Sequence, residues 1–80
     1  MTVKNNYDRE IILIGQRIKE MRISKKITQS SLASLCDIDI RTIQRIEKGE
    51  FNMSLKILFA ISDTLNIPPE SLLKVEEQTI

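Results

Sequence analysis

Apolar residues recur along this chain at spacings of three and four, the rhythm of helices with one buried face. Ile11, Ile14, Ile18 and Met21 follow 3-4-3 spacing and predict a first helix from Asp8 to about Ser24. Asp8 puts a carboxylate at its start, where the helix dipole favours negative charge. Gly15 inside that helix costs about 1 kcal/mol relative to Ala, which makes sense if another helix passes close by. Ile12 and Leu13 lie off the stripe. They read either as a widened core face or as a contact to a second subunit.

The stretch Thr28 to Gly49, TQSSLASLCDIDIRTIQRIEKG, changes the picture from one long helix to two short ones joined by a tight turn. Thr28 is a good N-cap, because its hydroxyl can accept from a free backbone N–H of the first turn. The helix it opens, about 29–36, has Leu32, Ala33, Leu35 and Cys36 as apolar positions. Asp37-Ile38 makes the turn, and Asp39 caps a third helix over about 40–47. Ile43 and Ile46 face inward there, while Arg41, Gln44, Arg45 and Lys48 face outward. Gly49 ends it by entering the left-handed conformation at little cost. Two short helices at a steep angle need a small residue between them, and Ala33 supplies it. This is the helix-turn-helix design.

Asn52 then reads as the N-cap of a fourth helix, about 53–65, with Leu55, Leu58, Ile61, Ser62 and Leu65 on its core face. Ile57 and Phe59 are apolar beyond that face. Asn66 suits a C-cap, Ile67 returns to the core, and Pro68-Pro69 leads into a fifth helix, about 69–75, because Pro fits a first helical turn. Leu72 and Leu73 are its core residues. There is no alternating strand pattern and no repeat. The expectation is therefore an all-α single domain of five helices over residues 1–80, with its core at about 8–75 and loose ends at 1–7 and 76–80.

Gly15 to Lys19 (GQRIK), Thr28-Gln29 with Leu32-Ala33, Ile43 with Ile46 to Gly49 (IEKG), and Ser54-Leu55 running to Leu65 resemble the Cro/CI-type (XRE) helix-turn-helix regulators. The order and spacing of these pieces carry the resemblance. It implies a five-helix lambda-repressor-like fold, with Arg22 near the end of helix 1 paired to Glu47 near the end of helix 3. It also implies base contacts from the first, second and sixth positions of helix 3, here Ile40, Arg41 and Arg45. Arg can donate two bonds to guanine O6 and N7, and Ile40 suits a thymine methyl. Gln44 can read adenine or point sideways. Gln29, in the first turn of helix 2, is expected on a DNA phosphate beside free backbone N–H groups. Thr42, Lys48 and the loop at Asn52 are expected on phosphates as well. In one place the chain departs from the pattern: Asp37 stands where the family usually has Gly.

Charge supports this placement only through its distribution. The net value is +1. Residues 17–48 hold eight bases and four acids, net +4, while 49–80 hold two bases and five acids, net −3. Such asymmetry can orient a protein on a polyanion. Arg41 and Arg45 are like charges four apart, which repel slightly, so stability alone gives no reason for them. The chain has no His and one Cys, Cys36, expected inside as a small hydrophobe. With no nucleophile–base set, no Gly-rich phosphate loop and no metal-ligand cluster, nothing points to an enzyme, a cofactor or a metal. No run of about 20 apolar residues suggests a membrane span, and the first ten residues lack a secretory apolar run, so the cytoplasm is expected. The function implied is a sequence-specific regulator of transcription that binds double-stranded DNA, a repressor by preference. It would be a homodimer in solution or only on the DNA, with contacts from helix 5, the tail, Ile57 and Phe59. The alternative is an antitoxin that silences a toxin protein and autoregulates its operon.

Overall fold

The helical stripes read from the sequence converge on one core in the computed structural model, which describes residues 7–74. The helices are α1 (Asp8–Ser24), α2 (Gln29–Cys36), α3 (Ile40–Glu47), α4 (Leu55–Leu65) and α5 (Pro69–Leu73). Among the described residues there is no strand. The loose ends expected at 1–6 and 76–80 lie outside the described residues, as does Val75; the expected run of helix 5 to about 75 is corrected at Lys74, whose backbone is already extended, so the helix ends at Leu73.

Ile18 of α1, Leu32 and Ala33 of α2, Ile43 and Ile46 of α3, Leu58, Ile61 and Leu65 of α4, and Leu72 of α5 form the buried centre. Ile14, Met21, Ile27, Cys36, Ile38 and Ile67 pack around it. α3 rests on both α1 and α2, and α4 closes the other side of α2. The backbones of α1 and α3 come very close. A Cβ at Gly15 would collide with the carbonyl oxygen of Ile46, so only glycine lets α1 cross the last turn of α3. Ile12 fits over Gly49, which has φ +78°, and is thereby partly absorbed into the fold.

Four helices end in the same way. After α1, α2, α3 and α4 the chain turns left-handed at Lys26, Asp37, Gly49 and Asn66. The next residue then donates its N–H back across the last turn: Ile27 to Arg22 O (3.1 Å), Ile38 to Ala33 O (3.0 Å), Glu50 to Arg45 O (2.9 Å) and Ile67 to Ser62 O (3.0 Å). This is the Schellman closure. In three of the four an isoleucine follows the turn and packs on the core. Asp37 takes the left-handed conformation at φ 59°, so the departure from Gly is accommodated; Asp tolerates this region better than most residues.

Several expectations about element edges and faces are corrected. α4 starts at Leu55, and its N-cap is Ser54, whose hydroxyl accepts from Ile57 N at 3.2 Å; Asn52 is exposed loop. Ser54 wins because it directly precedes the helix, two residues later than the expected cap. Leu55 is 67% exposed rather than core, because as the first residue of α4 it overhangs the bundle. Leu35 is 68% exposed. Leu32, Ala33 and Cys36 define the inward arc of α2, and at 100° per residue Leu35 falls outside it. Leu73 is 46% exposed, since the five-residue α5 turns only Leu72 inward. Cys36 is half-buried, with its sulfur 3.5 Å from the Thr64 hydroxyl.

Candidate nucleic-acid interface

α3 divides cleanly into two faces. Ile43, Ile46 and Glu47 are buried. Ile40, Arg41, Arg45 and Lys48 are exposed, with Thr42 and Gln44 half-buried between the faces. Asp39 opens the helix, its Oδ1 accepting from the Arg41 backbone N–H at 2.8 Å. Thr28 does the same for α2, accepting from Ser31 N at 3.0 Å.

Glu47 is the knot that fixes α3 in place. Arg22 of α1 donates through Nε to Glu47 Oε2 at 2.7 Å and through Nη2 to Oε1 at 3.1 Å. Its Nη1 donates to the Ile27 carbonyl, 2.8 Å away in the α1–α2 connection. The Gln29 amide donates to Glu47 Oε1 at 2.9 Å. One carboxylate thus ties the end of α1, the start of α2 and the end of α3. Gln29, expected on a phosphate, spends part of its donor capacity inside the protein. The second amide hydrogen and the exposed N-terminal turn of α2 are what it can still offer.

The two outward arginines are both held by a protein partner. Arg41 donates Nε to Asp39 Oδ1 (3.3 Å) and Nη2 to Oδ2 (3.1 Å). The Arg41 side-chain bond, followed by its backbone N–H, holds the Asp39 carboxyl below its usual range, and the same side-chain bond raises the Arg41 guanidinium. Arg45 lies over the Phe51 ring, 5.5 Å from its centroid, a cation–π arrangement. Neither partner was foreseen. The sequence reading gives Asp39 the role of a cap only, although its position two residues before Arg41 is visible in the sequence. Phe51 lies in the loop after α3, where no periodic pattern marks it.

Gln29, Gln44 and Lys48 line one polar cleft of about 300 Å³ with Glu47 and with Lys19 of α1. Lys19 is not among the expected contacts; its place one turn before Arg22 sets it beside this cleft. Asn52 does not join this group. It lines a separate, mainly apolar hollow of about 160 Å³ with Ile11, Ile14, Phe51 and Leu73.

A short helix seated by its apolar face on a preceding capped helix, with basic side chains turned outward, defines a helix-turn-helix DNA-binding unit. The chain belongs to the Cro/CI-type (XRE) helix-turn-helix family, whose family model, described as "Helix-turn-helix", matches residues 18–72. It is 38% identical over 63 residues to the control protein C.BamHI of Bacillus amyloliquefaciens, covering 78% of each chain. The restriction–modification controller protein C.AhdI of Aeromonas hydrophila superposes with a TM-score of 0.78 at 31% identity, over 80% of this chain and 97% of that one. The N-terminal DNA-binding domain of SinR from Bacillus subtilis gives 0.75 at 30% identity, over 82% and 97%. The protein is a transcriptional regulator that binds double-stranded DNA. No helix among the described residues is long and apolar enough to cross a membrane.

Proposed function

We propose that this protein acts in the cytoplasm as a two-fold dimer on the promoter of its own operon, with α3 of each subunit in the major groove. The observation that carries the reading is the division of α3: Ile43, Ile46 and Glu47 lock one side into the core, which leaves Ile40, Arg41, Gln44 and Arg45 for base edges. Gln29, Lys48 and Lys19, gathered on one cleft, suit the flanking phosphates, with Thr42 and the Asn52 loop as further backbone contacts. Half-sites would lie about 34–36 Å apart, one turn of the duplex. Leu55, Phe59 and Leu73 form the dimer contact, being exposed at 67%, 53% and 46% on α4 and α5. Ile57, expected in that contact from the sequence, is half-buried and packs on the core instead. The likeness to C.BamHI and C.AhdI, whose names mark them as control proteins, supports control of a restriction–modification operon.

The test is binding to DNA from directly upstream of the gene, for wild type and for the double variant Arg41→Ala/Arg45→Ala, against random duplex. The expected preference for upstream DNA is about a thousandfold. The variant loses it and keeps a weak, salt-sensitive attachment. Equal, weak binding of both DNAs by both proteins would mean that α3 is not the reader, and a protein partner such as a toxin would be sought instead.

A further inference from the structure

We propose that Asp39 is a positioning residue for base recognition: while capping α3, it grips Arg41 by one edge of the guanidinium and aims the opposite edge at a guanine. The inference rests on the reading of α3 as the DNA reader and adds to it a determinant of specificity.

The geometry divides the labour among donors. A guanidinium carries five N–H groups, one on Nε and two on each terminal nitrogen. Asp39 takes the Nε–H at 3.3 Å and one Nη2–H at 3.1 Å. The far edge keeps one hydrogen on Nη1 and one on Nη2, side by side. That pair is the fork that fits guanine O6 and N7. The same carboxylate receives the Arg41 backbone N–H at 2.8 Å, so cap and guanidinium are fixed by one rigid group. A long side chain held this way loses less freedom when it meets its base, which favours the matched site.

Charge points the same way. The Arg41 side chain is 82% exposed and Asp39 51%, so an ungripped Arg41 would swing freely to the nearest phosphate. Phosphate contacts add affinity without sequence information. Beside Asp39 the local charge is cancelled, and Arg41 gains little from a phosphate. Asp39 therefore suppresses non-specific attachment while supporting the specific one.

The probe is a short duplex enriched by the wild-type protein from a randomised library, together with its single-base-pair substitutions. Asp39→Ser is the variant, since a serine hydroxyl still caps a helix, as Ser54 does for α4. The expected result is a loss of about tenfold in discrimination at one G·C pair. Affinity for random duplex should rise, with its salt dependence steeper by about one phosphate contact. Thermal unfolding of the variant checks that the domain remains folded at the assay temperature, and Asp39→Asn, which keeps a side-chain cap but not the charge, should behave alike. Arg41→Ala is run beside them. If Arg41→Ala abolishes discrimination at that pair while Asp39→Ser and Asp39→Asn leave it intact, the positioning role is overturned and the reading of α3 stands. If Arg41→Ala changes discrimination nowhere, the reading of Arg41 itself fails, and the proposal with it.

Discussion

Two arginine–carboxylate pairs in this molecule are built alike and do opposite things. Arg22 meets Glu47, and Arg41 meets Asp39, each through Nε and Nη2 onto both carboxylate oxygens. The first pair joins side chains that are 10% and 3% exposed; in the second they are 82% and 51% exposed. Around the first, the remaining capacity is taken up by protein: the Ile27 carbonyl receives Arg22 Nη1, and Gln29 donates to Glu47. Around the second, the far edge of the guanidinium faces solvent. The buried pair sets the position of α3, and the exposed pair sets what α3 presents. Burial, more than the pairing itself, separates a structural arginine from one available to a ligand.

Removing one partner of the buried pair should have the largest effect. Glu47→Ala leaves Arg22 buried without its anion and should cost about 3–5 kcal/mol. A domain of this size has roughly 4–12 kcal/mol in all, so urea unfolding should show it near the edge of stability. Replacing both charges together, Arg22→Met with Glu47→Met, should recover most of the loss, because the desolvation of the lone charge disappears with it. If the double variant is no better than Glu47→Ala, the pair acts through its hydrogen bonds to Ile27 and Gln29 instead.

Gln29→Ala sharpens the comparison at intermediate size. It removes a hydrogen bond to a charged group at the half-buried margin of the knot, a loss of about 1.5 kcal/mol, the low end for a charged partner. Binding to DNA at a temperature where the variant is fully folded then separates its two roles. A further fall in affinity, equal for all sequences, marks a phosphate contact; unchanged affinity marks a purely structural glutamine.

The exposed pair should move stability least, and its pH dependence shows the sign. The Asp39 carboxyl is lowered in the folded state, first by the Arg41 side chain and then by its backbone N–H. A lowered carboxyl stabilises fully above the ordinary aspartate range, and that contribution is lost as pH falls through the lower folded value. Wild type and Asp39→Ser should therefore differ in melting temperature by a small, constant amount from about pH 5 to pH 8, with the gap closing below about pH 4. A gap that changes between pH 5 and pH 8 would point to another titrating group.

The sequence determined by itself what depends on neighbours along the chain. Period 3.6 placed five helices. Thr28 and Asp39 marked the starts of α2 and α3, and Asn66 and Gly49 marked left-handed ends. The outward set of α3 followed from the inward position of Ile43 and Ile46. Arg22 with Glu47 was carried by the family resemblance, since a pair 25 residues apart has no local signature. The tertiary structure decided what depends on how far each face is covered. Leu55 and Leu73 read as core residues from their helical spacing, yet both stay exposed, at 67% and 46%. The α3–α4 loop brought Phe51 against Arg45, and the crossing of α1 over α3 put Lys19 beside Gln29 and Lys48. Periodicity records which residues share a face. Whether a neighbour covers that face is settled only when the helices cross, because burial is a property of the contact between them.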